Sequence, residues 1–205
     1  MRPIGPIRTY KKMATIRSFI AVAIGSELRE RLSEVSAGLQ KRLRGVAWVR
    51  PENIHLTLKF LGDVADDDIP AVREALDEVA ARQRACALRV GGLGAFPHPA
   101  RPRVIWAGAE EDQGSLSRLV RDLEETLAAL DFPPEKRPYH SHLTLGRVKN
   151  PDGVGNLTKI LREAAADSLG ELAVDMLLLI KSTLTPDGSI FEVVSTHCLS
   201  GGSAR

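Results

Sequence analysis

A mixed α and β fold made of two similar units is what these 205 residues predict, on three observations. Segments with period-two apolar alternation take turns with segments whose apolar residues recur every three to four positions. The string His55-Leu56-Thr57-Leu58 returns as His142-Leu143-Thr144-Leu145, each copy on a strand-like stretch behind turn chemistry. The chain closes on two apolar stretches around Pro186-Asp187-Gly188, the pattern of a β-hairpin. With 43% hydrophobic and 26% charged residues the composition is that of a globular protein, and the length suits one domain or two small lobes sharing a core.

Taken in order, Ile16–Ile24 alternates apolar and small residues and predicts a strand stopped at Gly25. Ser26 suits a helix cap, and Leu28, Leu32, Val35 and Leu39 mark the stripe of a helix ending near Gly45. Ala47–Val49 is a short strand before the turn residues Pro51-Glu52-Asn53. Ile54–Leu61 predicts a strand broken by Gly62-Asp63. The acids Asp66–Asp68 then open a helix over Ile69–Ala81, with Pro70 acceptable in its first turn. Ala87–Leu93 and Val104–Ala109 predict strands around a loop, Gly94–Arg103, that holds Pro97, Pro99 and Pro102; Gly91-Gly92-Leu93-Gly94 reads as a strand end. Ser115–Leu130 is strongly amphipathic, with Leu116, Leu119, Val120, Leu123 and Leu127 on one stripe. Pro133, Pro134 and Pro138 stiffen the way into the strand His142–Val148. A loop over Asn150–Gly155 leads to a helix over Leu157–Ala166, and Leu172–Thr183 and Ile190–Ser200 predict the final paired strands.

Charge and cysteine content exclude several classes. The formal net charge is +2, but Arg2, Arg8, Lys11, Lys12 and Arg17 fall in residues 1–17 with no acid among them, which leaves the rest slightly acidic. A near-neutral body does not bind nucleic acid by broad phosphate neutralisation, so any RNA contact falls on a small part such as a terminus. Residues 1–15 are expected to be a flexible basic leader, 16–200 a single domain and 201–205 a disordered tail. Met13, directly before the first strand, is a candidate start. No stretch reaches the roughly 20 apolar residues of a membrane helix, and the N-terminus lacks the apolar core of a secretory signal. Cys86 and Cys198 are too few and too far apart for a disulfide scaffold, which points to the cytoplasm. No obligate protein partner is implied.

The repeated motif carries the candidate chemistry. Alternation along a strand puts His55 and Thr57 on one face and Leu56 and Leu58 on the other, and the second copy repeats this with His142 and Thr144 against Leu143 and Leu145. Two similar units about a pseudo-twofold axis bring both His/Thr pairs to one groove. Hydrolysis of a cyclic phosphate needs a base to take a proton from water and an acid to protonate the departing sugar oxygen, on opposite sides of the phosphorus. Imidazoles, with a reference pKa of about 6.5, supply both forms near neutral pH, and threonine hydroxyls donate to the non-bridging oxygens. No metal or other cofactor is required. His140 and His142 form a His-x-His pair, but two further ligands at useful spacing are not evident.

Other residues have two readings each. Lys59 shares the parity of His55 and Thr57, so it borders the groove or faces solvent. Arg147 offsets phosphate charge or is merely solvated. Phe19 and Trp48 stack on a base or, by default, pack in the core. His98 is expected in an exposed loop and His197 in a structural role. Spacing alone leaves open which histidine is the acid.

The paired His-x-Thr-x motifs resemble the two-histidine (2H) phosphoesterase superfamily, most closely its RNA 2′,3′-cyclic phosphodiesterase branch, also called the 2′-5′ RNA ligase family. The likeness extends to Arg17–Ala21, Trp48–Gly62, Gly94–Pro97 with Arg101–Trp106, and Tyr139–Arg147. The resemblance implies an α+β fold duplicated into two lobes, each an antiparallel sheet with outer helices, around a central cleft. It implies that His55 gives a proton to the leaving oxygen, that His142 activates water, that Thr57 and Thr144 hold the phosphate, and that the product is a 2′-phosphate. The substrates would be RNA termini or small cyclic nucleotides. The same acid–base pair also serves 2′-5′ RNA ligation, and a non-catalytic module binding RNA or nucleotides is the alternative from another class. The family usually carries proline before the second histidine. Here it is Ser141, which either loosens entry to the strand or adds a hydroxyl near the cleft.

Overall fold

The computed structural model describes residues 14–111, 114–164, 168–186 and 188–201. The leader through Met13, the tail after Gly201, Asp187 of the hairpin turn and the end of the last expected helix lie outside the described residues. The strands are β1 (Thr15–Ala23), β2 (Val46–Trp48), β3 (His55–Ala65), β4 (Cys86–Phe96), β5 (Val104–Glu110), β6 (His142–Val148), β7 (Gly170–Val174), β8 (Met176–Thr185) and β9 (Gly188–Cys198). The helices are α1 (Ser26–Gln40), α2 (Ile69–Arg82), α3 (Ser115–Ala128) and α4 (Leu157–Ala164).

All the strands join one antiparallel sheet in the order β7-β4-β5-β6-β3-β1-β8-β9, with β2 added to β6. The two expected lobe sheets are therefore continuous. They meet at the centre through a single residue pair, Leu56 with Leu143, on β3 and β6. About that pair the order β1-α1-β3-α2-β4 is repeated as β5-α3-β6-α4-β8. The helices cross over. α1 follows β1 yet packs on β7 and α4 of the second lobe, whereas α3 follows β5 yet packs on β3 and α2 of the first. The α3 stripe of Leu116, Leu119, Leu123 and Leu127 and the motif leucines Leu56, Leu58, Leu143 and Leu145 share one buried core. Apolar burial of this kind is the main stabilising term of the fold.

The duplication is more complete in register than in sequence. Between β1 and β3 the partners are Phe19 with Phe60, Ile20 with Lys59, Ala21 with Thr57, Val22 with Leu56 and Ala23 with His55. Between β5 and β6 they are Val104 with Arg147, Ile105 with Gly146, Trp106 with Thr144, Ala107 with Leu143 and Gly108 with His142. Both ladders skip one residue at the same place, so each motif strand carries a β-bulge directly after His-Leu-Thr.

Three expectations change. The strand from Ile54 does not stop at Leu61: it continues to Ala65, because Gly62 (φ 75°) absorbs a second bulge against β1. The glycine run at Gly91 is not a strand end, since β4 passes through a register shift there and pairs with β5 as far as Phe96. The single strand expected over Leu172–Thr183 is two: β7 pairs with β4 in one lobe and β8 with β1 in the other, with only Asp175 between them. Both pieces are apolar, and their different partners are invisible to a local pattern.

Candidate active site

The Leu56–Leu143 pair fixes the geometry of the cleft. In an antiparallel ladder, one step either way sets His55 opposite Thr144 and Thr57 opposite His142, with all four side chains on the face away from the leucines. That face is half-buried at all four positions. No second ladder pair joins β3 to β6 among the described residues, so the four residues gather where the two strands meet.

The two rings are anchored identically. Nδ1–H of His55 donates to the main-chain oxygen of Asn53, and Nδ1–H of His142 donates to that of His140, both at 2.7 Å. A carbonyl oxygen only accepts, so each Nδ1 keeps its proton and Nε2 is the nitrogen left to take or give one. Aromatic rings wedge both imidazoles. Phe19 stacks on His55 with centroids 4.9 Å apart, and Phe191 meets it edge-on at 5.3 Å. Phe96 meets His142 edge-on at 4.9 Å, and Trp106 lies 6.4 Å away.

Burial is the main cause that pushes both histidines below their ordinary pKa. The carbonyl bonds oppose it, by Asn53 at His55 and by His140 at His142. Arg147 adds to the lowering at both rings, and His142 adds to it at His55. The two imidazoles and the Arg147 guanidinium thus share one electrostatic environment.

The bulges decide which neighbours reach the cleft. Strict alternation would send Arg147 to the leucine side. The extra residue in β6 returns it to the histidine side, where it is exposed. The same bulge in β3 overturns the expectation for Lys59. Its side chain is 1% exposed and points into the core, where it pairs with Glu124 of α3 and donates to the main-chain oxygen of Pro133 at 2.9 Å. The matching position in β6 is Gly146. A Cβ there would lie 2.7 Å from Val46 and 3.1 Å from Trp48, so β2 occupies the volume that Lys59 fills in the other lobe.

The approach to His142 is tied down from both sides. The Ser141 hydroxyl donates to the Ala109 carbonyl on β5, and the Ala109 N–H donates back to the Ser141 carbonyl at 3.3 Å. Serine at this position clamps the entry to the strand. Tyr139 donates its hydroxyl to the Thr57 carbonyl at 3.0 Å, which links the second motif to the first. Burial raises the Tyr139 pKa, so it stays a donor.

The remaining sequence candidates separate cleanly. Phe19 is buried and Trp48 packs against the core, so packing holds for both, with Phe19 also bedding His55. His98 is exposed and its Nδ1 accepts from the Ala100 N–H. His197 is buried and bonds Asp77 of α2 at 2.6 Å and Ser195 at 2.8 Å, a tie between helix and strand. Among the described residues no three His, Cys, Asp or Glu side chains are grouped to hold a metal ion. Phe191 and Glu124 escaped the sequence reading, and Tyr139 entered it only as the start of the segment Tyr139–Arg147, without a role. Phe191 is the lone Phe, Tyr or Trp of β9, and nothing local marks Glu124.

Comparison with known proteins covers nearly the whole chain. The LigT like Phosphoesterase model matches residues 22–106 and 108–191. A relative from Archaeoglobus fulgidus named RNA 2′,3′-cyclic phosphodiesterase is 37% identical over 179 residues, 86% of this chain and 97% of that protein. One of the same name from Thermotoga maritima is 35% identical over 191 residues, 93% of this chain and 99% of that protein. A solved structure from Thermus thermophilus aligns with TM-score 0.74 at 28% identity, over 92% of this chain and all of that one. E.coli LigT complexed with 3′-AMP has the same fold, with TM-score 0.73 at 24% identity over 91% of this chain and 99% of that one. With matching segments in both lobes and relatives aligned almost end to end, this chain belongs to the LigT-like phosphoesterase family.

Proposed function

We propose that the chain hydrolyses the 2′,3′-cyclic phosphodiester at an RNA end, with His55 and His142 as its acid–base pair. One observation carries this: two His-x-Thr pairs lie on one face of adjacent strands, and each ring is anchored so that Nε2 alone is free. The names of the relatives from A. fulgidus and T. maritima support the substrate class.

Nε2 of His142 takes a proton from water, and the water oxygen bonds to phosphorus. The P–O3′ bond breaks on the opposite side, and O3′ takes the proton of His55 Nε2. A 2′-phosphate remains. His55 ends neutral and His142 ends charged, and exchange with solvent resets them. Thr57 and Thr144 donate hydroxyl hydrogen bonds to the non-bridging oxygens, and Arg147 balances the growing negative charge. Each of these groups belongs to the protein, so no metal enters the scheme.

The lowered pKa of both rings has a consequence. In the free enzyme the form with one neutral and one charged imidazole is most populated below pH 6.5, and a bound phosphate anion favours the charged ring and moves this upward. The reading also keeps the enzyme in the cytoplasm, where the free cysteines Cys86 and Cys198 stay reduced. The decisive test is an RNA oligonucleotide ending in a 2′,3′-cyclic phosphate, incubated with the protein in EDTA. A 2′-phosphomonoester is expected. An unchanged end, or a 3′-phosphomonoester, sinks the proposal.

A further inference from the structure

The two central strands are treated differently beyond the one pair they share. The stretch of β6 past the motif is sealed by β2, with Val46 on Val148, Ala47 on Arg147 and Trp48 on Gly146. The matching stretch of β3 has no such partner on that side among the described residues. The connection into β6 stands off from it instead and leaves a cavity of about 470 Å³, lined by Phe60, Leu61, Gly62 and the segment Phe132–Arg137. That volume lies in the range of small-molecule sites.

The cavity is built rather than incidental. Buried Lys59 holds the Pro133 carbonyl, and its partner Glu124 accepts from the Glu135 N–H at 3.3 Å, so the far wall is pinned to β3 and α3. The near wall is Phe60, which the bulge turns to the histidine side of the sheet and which is 59% exposed. Phe60 lies 6.0 Å from Phe19, and Phe19 stacks on His55, so an aromatic line runs from the reacting centre into the cavity. Lys136 and Arg137 stand exposed on the opposite rim beside Glu135.

We infer that this cavity holds the nucleotide on the 5′ side of the reacting RNA end, with its base against Phe60 and its phosphate between Lys136 and Arg137. The inference rests on the cyclic phosphodiesterase reading of the site. A 2′,3′-cyclic phosphate closes the last nucleotide, so the rest of the RNA leaves the cleft only through that nucleotide's 5′ oxygen. Phe60 joins the cavity wall to Phe19, on which His55 stacks. An aromatic platform paired with nearby cations is how single strands are gripped without sequence reading. Two localised cations also suit a body with little net charge to spend on RNA.

The full chain, Phe60→Ala and the pair Lys136→Ala/Arg137→Ala are compared on two substrates: cytidine 2′,3′-cyclic phosphate, and a four-nucleotide RNA ending in the same group. For the tetranucleotide, kcat/KM is expected to fall about tenfold in Phe60→Ala. In the double variant, which loses the grip on that one phosphate, the slope of log kcat/KM against log salt should become shallower by about 0.7. Both variants should open the mononucleotide within about twofold of the unsubstituted chain. Equal losses on the two substrates, or none on the tetranucleotide, overturn the subsite. If the unsubstituted chain opens neither substrate, the reading of the two histidines fails, and the subsite falls with it.

Discussion

The strand that carries His55 and the strand that carries His142 share a motif, a register, a bulge and the same ring anchor, and then diverge at the next two positions. After the first motif come a buried lysine and an exposed phenylalanine, Lys59 and Phe60; after the second come Gly146 and Arg147. One wall of the cleft is therefore apolar, with Phe19 and Phe191 around His55 and Phe60 beyond them beside Phe19, and the other presents a cation beside His142. On the proposed mechanism, the shared parts are those the proton transfers need twice. The parts that differ are those a substrate with one phosphate and one chain needs once. A duplicated scaffold can thus hold equal acids and bases while dividing recognition between its halves.

The largest effect that tests this division is on the histidines themselves. Alanine at His55 or at His142 is expected to lower turnover about 10³-fold, with little further loss when both are changed, because they act as a unit. A diester with a nitrophenolate leaving group, which leaves without a proton, should restore His55→Ala but not His142→Ala. Equal restoration in both would erase the distinction between the two sides.

The positions after the motifs come next. Lys59→Met strands the Glu124 carboxylate and should cost about 3 kcal/mol in urea unfolding, recovered in part by adding Glu124→Leu. Gly146→Ala meets Val46 and Trp48 and should cost about 1–3 kcal/mol by overpacking. If both changes proved neutral, the two halves would be packed less differently than described. Valine at Thr57 or Thr144 removes one donor to a charged phosphate, worth about 2 kcal/mol, so kcat/KM should fall about thirtyfold at either position. A marked asymmetry there would show that one hydroxyl carries the phosphate.

The smallest effect is in the pH profile. Productive enzyme needs one neutral and one protonated imidazole, and burial keeps both rings below their ordinary value, so kcat/KM should peak below pH 6.5. Arg147 pushes both pKa values down, so Arg147→Gln should move that peak upward while lowering its height. A peak that stays in place or moves down would mean that Arg147 does not act on the imidazoles.

The histidines and threonines were legible because strand alternation is a local rule and the same four letters occur twice. The α3 stripe was legible for the same kind of reason. What the sequence hid is set by partner strands. Lys59 and Arg147 change faces only because β1 and β5 skip a residue opposite them, and no pattern within β3 or β6 records that. The Glu124 pair with Lys59 and the Tyr139 bond to Thr57 span 65 and 82 residues. Serine in place of proline at position 141 allowed either a loosening or an added hydroxyl near the cleft, and only the Ala109 carbonyl of β5, remote in sequence, gives that hydroxyl its partner.

The short link at Asp175 has a bearing on how such a protein can be taken apart. β7 and β8 border different halves, yet one residue joins them, and the Leu199 N–H closes onto the Asp175 carbonyl at 2.8 Å. A chain cut after β5 would leave an amino-terminal fragment without β8 and β9, and a carboxy-terminal fragment without β4 and β5. Neither piece would hold all the strands of either half of the sheet, so neither could close its own set of ladders.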